Sequence, residues 1–162
     1  MNGIEQPVNQ CQRYRKNVAA FVLNDKGQIL ACRRADQYHS WQLPQGGVDE
    51  GESLEQAVLR ELKEEIGTDE VEIIDALPQA IRYDWPLHVH RHDFCGQEQH
   101  YFLVRLKSSA RINLEKDQAA EFDQTEWVGR REFIERLEGF KTSAYTDALQ
   151  QLIARHPDTF AE

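Results

Sequence analysis

Three glutamates, Glu61, Glu64 and Glu65, stand at i, i+3 and i+4 in a stretch with helical periodicity. At about 100° per residue, Leu54, Val58, Leu62 and Ile66 form an apolar stripe with Ala57 at one edge. Glu61 and Glu65 fall on the side of Leu54 and Val58, Glu64 flanks them beside Ala57, and Arg60 and Lys63 fall on the far side. A charged run on a helix is ordinarily a solvated face. That reading fits poorly here, because carboxylates at this spacing repel one another and these adjoin the stripe that must be buried. A hard divalent cation with oxygen ligands resolves the conflict. Magnesium suits it, since it binds a few carboxylates together with substrate phosphates.

The elements that must position these side chains are readable around them. Residues 18–23 and 28–33 are apolar, partly β-branched runs joined by Asn24-Asp25-Lys26-Gly27, a hairpin signal. Residues 35–51 are rich in polar and turn residues and are expected to form a loop. Ser53-x-x-Gln56 predicts a capping box opening a helix that ends at Gly67. Strands are expected over 71–74, 80–83, 99–107 and 124–129, a loop over 84–96, and helices over 131–137 and 142–156. Strands with helices before and between them predict an α/β fold, a mixed β-sheet sandwiched between α-helices. No repeat, low-complexity tract or linker interrupts the chain, so one domain over residues 1–162 is expected, with its core at about 14–156.

Composition sets the outer limits. A chain of 162 residues, 40% hydrophobic and 29% charged, can bury a core without staples. Its net charge of −9 argues against a surface that coats nucleic acid such as duplex DNA. A polyphosphate substrate remains compatible, because bound cations invert the electrostatics of a carboxylate cluster. Cys11, Cys32 and Cys95 are odd in number and widely spaced, which implies no disulfide framework and a cytoplasmic setting. The first residues lack the apolar core of a signal peptide, and no apolar run is long enough to span a membrane.

The stretch from Gly46 to Thr68, GGVDEGESLEQAVLRELKEEIGT, resembles the signature of the Nudix hydrolases, G-x5-E-x7-R-E-U-x-E-E-x-G-U, with U a bulky aliphatic residue. Gly46, Glu52, Arg60, Glu61, Leu62, Glu64, Glu65 and Gly67 match in register, and Thr68 departs at the last aliphatic position. The resemblance implies that Glu61, Glu64 and Glu65 are metal-binding and catalytic carboxylates, with Glu52 and Arg60 supporting them. It also implies that Gly46 lets the backbone approach metal and phosphate. Magnesium or manganese, with more than one ion in the site, would then activate water to attack phosphorus.

Further matches resemble the subfamily containing bacterial RNA pyrophosphohydrolases and plant-type diadenosine tetraphosphate hydrolases. They are YRKNVAAFVLN (with Lys16 where proline is usual), WQLPQGG, YDWP, GQEQHYFLV, EFDQTEWV and FK. By this resemblance Glu121 is a further metal and catalytic carboxylate from outside the helix. Arg15, Arg34, Ser40 and Lys141 contact phosphate or nucleotide, and Phe140 stacks on a base. The implied reaction converts 5′-triphosphate RNA ends to 5′-monophosphate ends with release of pyrophosphate, a step toward mRNA decay. The alternative is hydrolysis of dinucleoside polyphosphates, and a catalytically inactive nucleotide-binding module is a reading of a different class. The substrate partner is thus an RNA 5′ end or a dinucleoside polyphosphate, with no oligomeric state implied. His88, His90 and His92 alternate but lack the partners of a closed zinc site, and Trp41, Trp85 and Trp127 read as core or loop anchors.

Overall fold

The computed structural model describes residues 11–162. Its strands are β1 (Tyr14–Leu23), β2 (Ile29–Arg34), β3 (Gln37–Gln42), β4 (Gln45–Gly47), β5 (Val71–Ala76), β6 (Ile81–Asp84), β7 (Gly96–Leu106) and β8 (Phe122–Val128). Its helices are α1 (Leu54–Ile66), α2 (Arg130–Glu135) and α3 (Thr142–Arg155). One mixed sheet runs β3-β2-β1-β7-β5, with β4 pairing β1, β6 pairing β7 and β8 pairing β2. β1 and β7 are parallel, while the other pairs are antiparallel.

Both faces of the central strands are apolar because both are covered. Val18, Ala20 and Val22 of β1 join Leu30, Phe102 and Val104 against Ala57, Val58, Leu62 and Ile66 of α1. The alternate residues Ala19, Phe21 and Leu23 join Ile29, Tyr101 and Leu103 against Phe133 of α2 and Ala148, Leu149 and Leu152 of α3. Period-2 alternation therefore feeds two cores, one on each face of the sheet. This is the expected α/β sandwich.

The capping box of α1 forms as expected. Ser53 accepts from the Gln56 backbone, Gln56 reaches back to the Ser53 N–H, and Gly67 caps the C-terminus at φ 78°. Thr68 is buried, and its hydroxyl accepts the Glu70 N–H at 3.1 Å, so the departure from the aliphatic pattern leaves no unpaired polar group there.

Three expectations need correction. Residues 35–51 are not one loop, for β3 and β4 lie within them. β3, QYHSWQ, lacks an apolar alternation of its own and is held as a strand by pairing with β2. Arg60 does not point away from the carboxylates; its long side chain turns back toward them, as described below. Cys11 and Cys95, 84 residues apart, form a disulfide with Cα atoms 5.9 Å apart. The parallel pairing of Tyr14 with Gly96 brings the two chain segments side by side, which spacing along the sequence does not reveal. Cys32 is free and buried.

Candidate active site

α1 faces the short strand β4, and their junction carries the chemistry. β4 lies antiparallel to β1, with Gly47 opposite Asn17 and Gln45 opposite Ala19. The backbone N–H of Gln45 donates to Glu65 Oε2 at 2.9 Å. A Cβ at Gly46 would overlap the Glu61 carboxyl group, and one at Gly47 would overlap the Arg15 guanidinium. Glycine at these positions lets the Glu61 carboxyl and the Arg15 guanidinium lie against the strand backbone, and a larger residue would have to displace them.

Arg60 organises the cluster. Its Nε and Nη2 donate to Glu52 at 2.7 and 2.9 Å, and Nη2 also donates to the Gly47 carbonyl at 2.8 Å. Its Nη1 donates to Glu61 at 2.7 Å and to Glu64 at 3.3 Å. The hydrogen bond from Arg60, reinforced by the Asp49 backbone N–H, holds the Glu52 carboxyl down at about 2. Glu52 and Arg60 thus tie the loop of β4 to α1.

The three helix carboxylates have different surroundings. Glu64 leaves 56% of its side chain exposed, Glu61 only 12%, and Glu65 is buried. Burial pushes Glu61 up to about 7 against the opposing pull of Arg60. Glu65 is raised well above the carboxylate range by burial first and then by the Glu121 carboxylate. The charges of Glu64 and Glu121 both act on Glu61, and those of Glu121 and Glu61 act on Glu65, with Glu64 the most exposed of the helix carboxylates.

Among the described residues no three acidic, histidine or cysteine side chains are gathered into a ready-made cation site, and what points to a cation is one buried atom. Glu65 Oε1 is buried with no hydrogen-bond partner among the described residues, beside two other carboxylates. A buried oxygen left without a donor is costly unless a cation or a proton meets it. Glu61, Glu64, Glu65 and Glu121, with the Gly46 backbone, are the oxygen donors that could hold one.

Glu121 and Gly46 border a cavity of about 660 Å³. Arg15, Arg34, Ser40, Gly46, Glu121, Phe140 and Lys141 all line it, although they come from segments far apart along the chain. Arg34 follows an irregularity in β2 that separates it from Arg33. Arg33 pairs with Asp123 at 2.8 Å, and Arg34 pairs with Asp36 in a two-pronged contact at 2.8 Å. Lys141 donates to Gln42 at 3.1 Å, and burial lowers its ammonium to about 8. Phe140 is 41% exposed, its ring lies 6.1 Å from that of Tyr83, and Lys141 Nζ sits 6.0 Å from the ring centroid.

Sequence reasoning passed over several cavity residues. Asn17, Gln45, Gln97 and Tyr145 line it, joined by Trp85, His88 and Arg91 of the 85–91 segment. The signal was present, since Asn17 and Gln97 are polar residues at the ends of apolar strands and both are buried. Beneath them Gln99 donates to Asn17 at 2.8 Å and to Gln45 at 3.2 Å, and Tyr145 donates to Gln45. His90 lies within 3.1 Å of the Trp85 carbonyl. Trp85 is buried, and Trp41 and Trp127 pack partly buried against the two main cores.

Comparison with known proteins places this site in context. The NUDIX domain family matches residues 13–148. The RNA pyrophosphohydrolase of Campylobacter jejuni is 43% identical over 145 residues, 86% of this chain and 92% of that one. The Escherichia coli dihydroneopterin triphosphate pyrophosphohydrolase superposes with a TM-score of 0.69 at 21% identity, covering 88% of this chain and 98% of that one. An Ap4A hydrolase of Caenorhabditis elegans gives 0.64 at 19% identity, covering 86% and 98%. These two structures share the fold. The family match spans the carboxylate helix, the strands beside it and the first half of α3, and by that match the chain belongs to the NUDIX family of hydrolases.

Proposed function

We propose that the protein is a magnesium-dependent RNA pyrophosphohydrolase, a single NUDIX domain that converts 5′-triphosphate RNA ends to 5′-monophosphate ends. The observation that carries the reading is the orphaned carboxylate oxygen of Glu65, whose neighbour Glu121 lines a cavity that also offers Arg15, Arg34 and Lys141. The 43% identity to an RNA pyrophosphohydrolase supports the choice of substrate. Nudix hydrolases generally need divalent metal ions, and manganese would serve where magnesium does.

The reaction adds water across a phosphoanhydride. The water oxygen bonds to phosphorus, the bond between the α and β phosphates breaks, and pyrophosphate leaves an RNA ending in a 5′-monophosphate. When bound, metal ions would polarise phosphoryl oxygens, acidify the attacking water and neutralise developing charge. Glu61, Glu64, Glu65 and Glu121 would hold them, and one of these carboxylates accepts the proton of the water. Arg15, Arg34 and Lys141 orient the triphosphate, Ser40 adds a hydroxyl contact, and Phe140 stacks on the terminal base. Glu52 and Arg60 keep the glycine strand in register with the helix.

The test is an assay of the purified protein with magnesium on triphosphorylated RNA, diadenosine tetraphosphate and free nucleoside triphosphates. Turnover on RNA should exceed that on the other two. Preference for diadenosine tetraphosphate would move the assignment to a dinucleoside polyphosphate hydrolase, and absence of turnover on all three would make the chain a binding module.

A further inference from the structure

We propose that Gln99 is a positioning residue for the hydrolysis: from inside the fold it holds the side chain of Gln45, and through the Gln45 backbone it fixes the orientation of the Glu65 carboxylate. The inference rests on the reading of Glu65 as a carboxylate of the reacting site. Gln99 of β7 is fully buried and lies outside the lining of the cavity, whereas its neighbours Asn17 and Gln45 belong to that lining. A substrate in the cavity does not reach Gln99, so any effect of this residue on turnover must pass through a neighbour.

One carboxamide ties three strands together. In the parallel pairing of β1 with β7 Gln99 lies beside Asn17, and in the pairing of β1 with β4 Asn17 lies opposite Gly47. Gln99 Nε2 donates to Asn17 Oδ1 at 2.8 Å and to Gln45 Oε1 at 3.2 Å, and Gln99 Oε1 accepts from the Tyr101 hydroxyl. Both of its N–H groups and its carbonyl are thus in use. Gln45 Oε1 also accepts from the hydroxyl of Tyr145 on α3. Asn17, Gln99, Tyr101 and Tyr145 are all buried, which costs free energy that an apolar layer would avoid. Mutual hydrogen bonds offset the cost, and what the network adds is a single defined geometry.

What that geometry fixes is β4. The strand reads Gln45-Gly46-Gly47, so Gln45 alone offers a side chain by which it can be held. Pairing with β1 and the bond from Arg60 to the Gly47 carbonyl hold its backbone, while Gln99 and Tyr145 hold its one side chain. The Gln45 N–H then donates to Glu65 Oε2 at 2.9 Å, and Oε1 stays buried without a hydrogen-bond partner among the described residues. A carboxylate that serves a metal is oriented by the hydrogen bonds behind it. Loss of the grip on Gln45 would release its N–H, and with it the Glu65 carboxylate, while Arg15, Arg34 and Lys141 stay in place for the triphosphate.

The experiment compares wild type with Gln99→Met, Gln45→Met, the double variant and Tyr101→Phe. The last removes a hydrogen bond from the same buried layer but leaves the bond from Gln99 to Gln45. The readouts are kcat and KM on 5′-triphosphorylated RNA, manganese affinity of the substrate-free protein, and hydrogen exchange of the Gln45 amide against that of Val22. Gln99→Met should lower kcat and manganese affinity about tenfold each, with KM within about twofold of wild type. Exchange at Gln45 should quicken about tenfold while Val22 changes little. In the Gln45→Met background, Gln99→Met should lower kcat by less than about twofold more, because the two residues act in series. Tyr101→Phe should keep kcat within about threefold of wild type at a comparable loss of Tm. Gln99→Asn, which keeps the amide but draws it back from Gln45, gives the same readouts should the methionine variant fail to fold. Additive losses in the double variant, a kcat loss in Tyr101→Phe as large as in Gln99→Met, or unchanged exchange at Gln45 would each overturn the positioning role. A wild-type protein that neither hydrolyses the RNA nor binds manganese would instead overturn the reading of Glu65 on which the role rests.

Discussion

Gln45 and Glu65 are joined through a backbone hydrogen bond of 2.9 Å, so the glycine strand and the carboxylate helix meet at the site itself. The bond occupies Oε2 of Glu65 and leaves Oε1 buried without a partner among the described residues. One oxygen thus fixes the orientation of the side chain while the other is free to take a ligand. The side chain of Gln45 is in turn held by Gln99 and Tyr145, which anchors the strand to a polar layer between the two apolar cores.

The buried carboxylates make stability depend on pH and metal together. Glu61 is raised to about 7, so between its unfolded value near 4.5 and 7 the folded state binds more protons than the unfolded one. Stability of the metal-free protein should therefore fall as pH rises through this window. A decline in Tm of about 3–6 °C between pH 6 and pH 8 is expected in EDTA. Magnesium should abolish most of it by binding the charged form. A metal-free Tm that rises over the same interval would show that Glu61 is already charged and well compensated.

Lys141 predicts a pH effect on substrate binding. Burial lowers its ammonium to about 8, assisted by Arg34 and opposed by Glu65, Glu121 and Asp36. The substrate-free site thus loses a positive charge as pH rises through 8, and a bound triphosphate must restore the proton. KM for triphosphorylated RNA should rise about two- to fivefold from pH 7.5 to pH 9. Lys141→Arg, charged throughout, should flatten the rise. Identical profiles for the two proteins would remove Lys141 from the phosphate contacts.

Away from the site, Asp75 links β5 to the end of α3 through Arg155 at 2.7 Å and His156 at 2.7 Å. The Arg155 hydrogen bonds hold its carboxyl at about 2, below the ordinary value of 3.8. The stabilisation is full above about pH 4 and is lost as pH falls toward 2. Arg155 is half exposed, so the contribution is modest. Asp75→Asn should cost about 1 kcal/mol at pH 7, roughly 3 °C in Tm. Melts of the two proteins should converge as pH approaches 2, and a constant offset across the range would mean that packing, not charge, is lost.

Glu121 adds negative charge to Glu61 and Glu65, a cost without metal and a benefit with it. Glu121→Ala should raise the magnesium concentration for half-maximal turnover several-fold, while Tm in EDTA stays unchanged or rises slightly. Magnesium titration of turnover and melting in EDTA give both readouts. Normal activity at limiting magnesium would assign Glu121 to the solvated surface.

The parts of the molecule that were legible in sequence are those written locally. The capping box at Ser53, the stop at Gly67 and the placement of Glu61 and Glu65 beside the buried stripe all follow from helical spacing. Other features depend on partners far along the chain. β3 is a strand because β2 lies beside it, and Cys11 meets Cys95 because β1 and β7 run parallel. Arg60 defeated the helical wheel, since a wheel fixes where the Cβ points and not where a long guanidinium side chain ends. The polar layer of Asn17, Gln45, Gln97 and Gln99 was visible as letters, but only the sheet brings those residues under one cavity.

The most direct test of the account is pyrophosphate release from 5′-triphosphorylated RNA by wild type and by Glu65→Gln, with magnesium and with EDTA. The account predicts magnesium-dependent pyrophosphate release by wild type, none in EDTA, and at least about a hundredfold lower turnover in the variant. The variant's metal-free Tm should equal or exceed that of wild type, because a buried carboxylate is replaced by a neutral amide. Turnover by Glu65→Gln within a few-fold of wild type would contradict it.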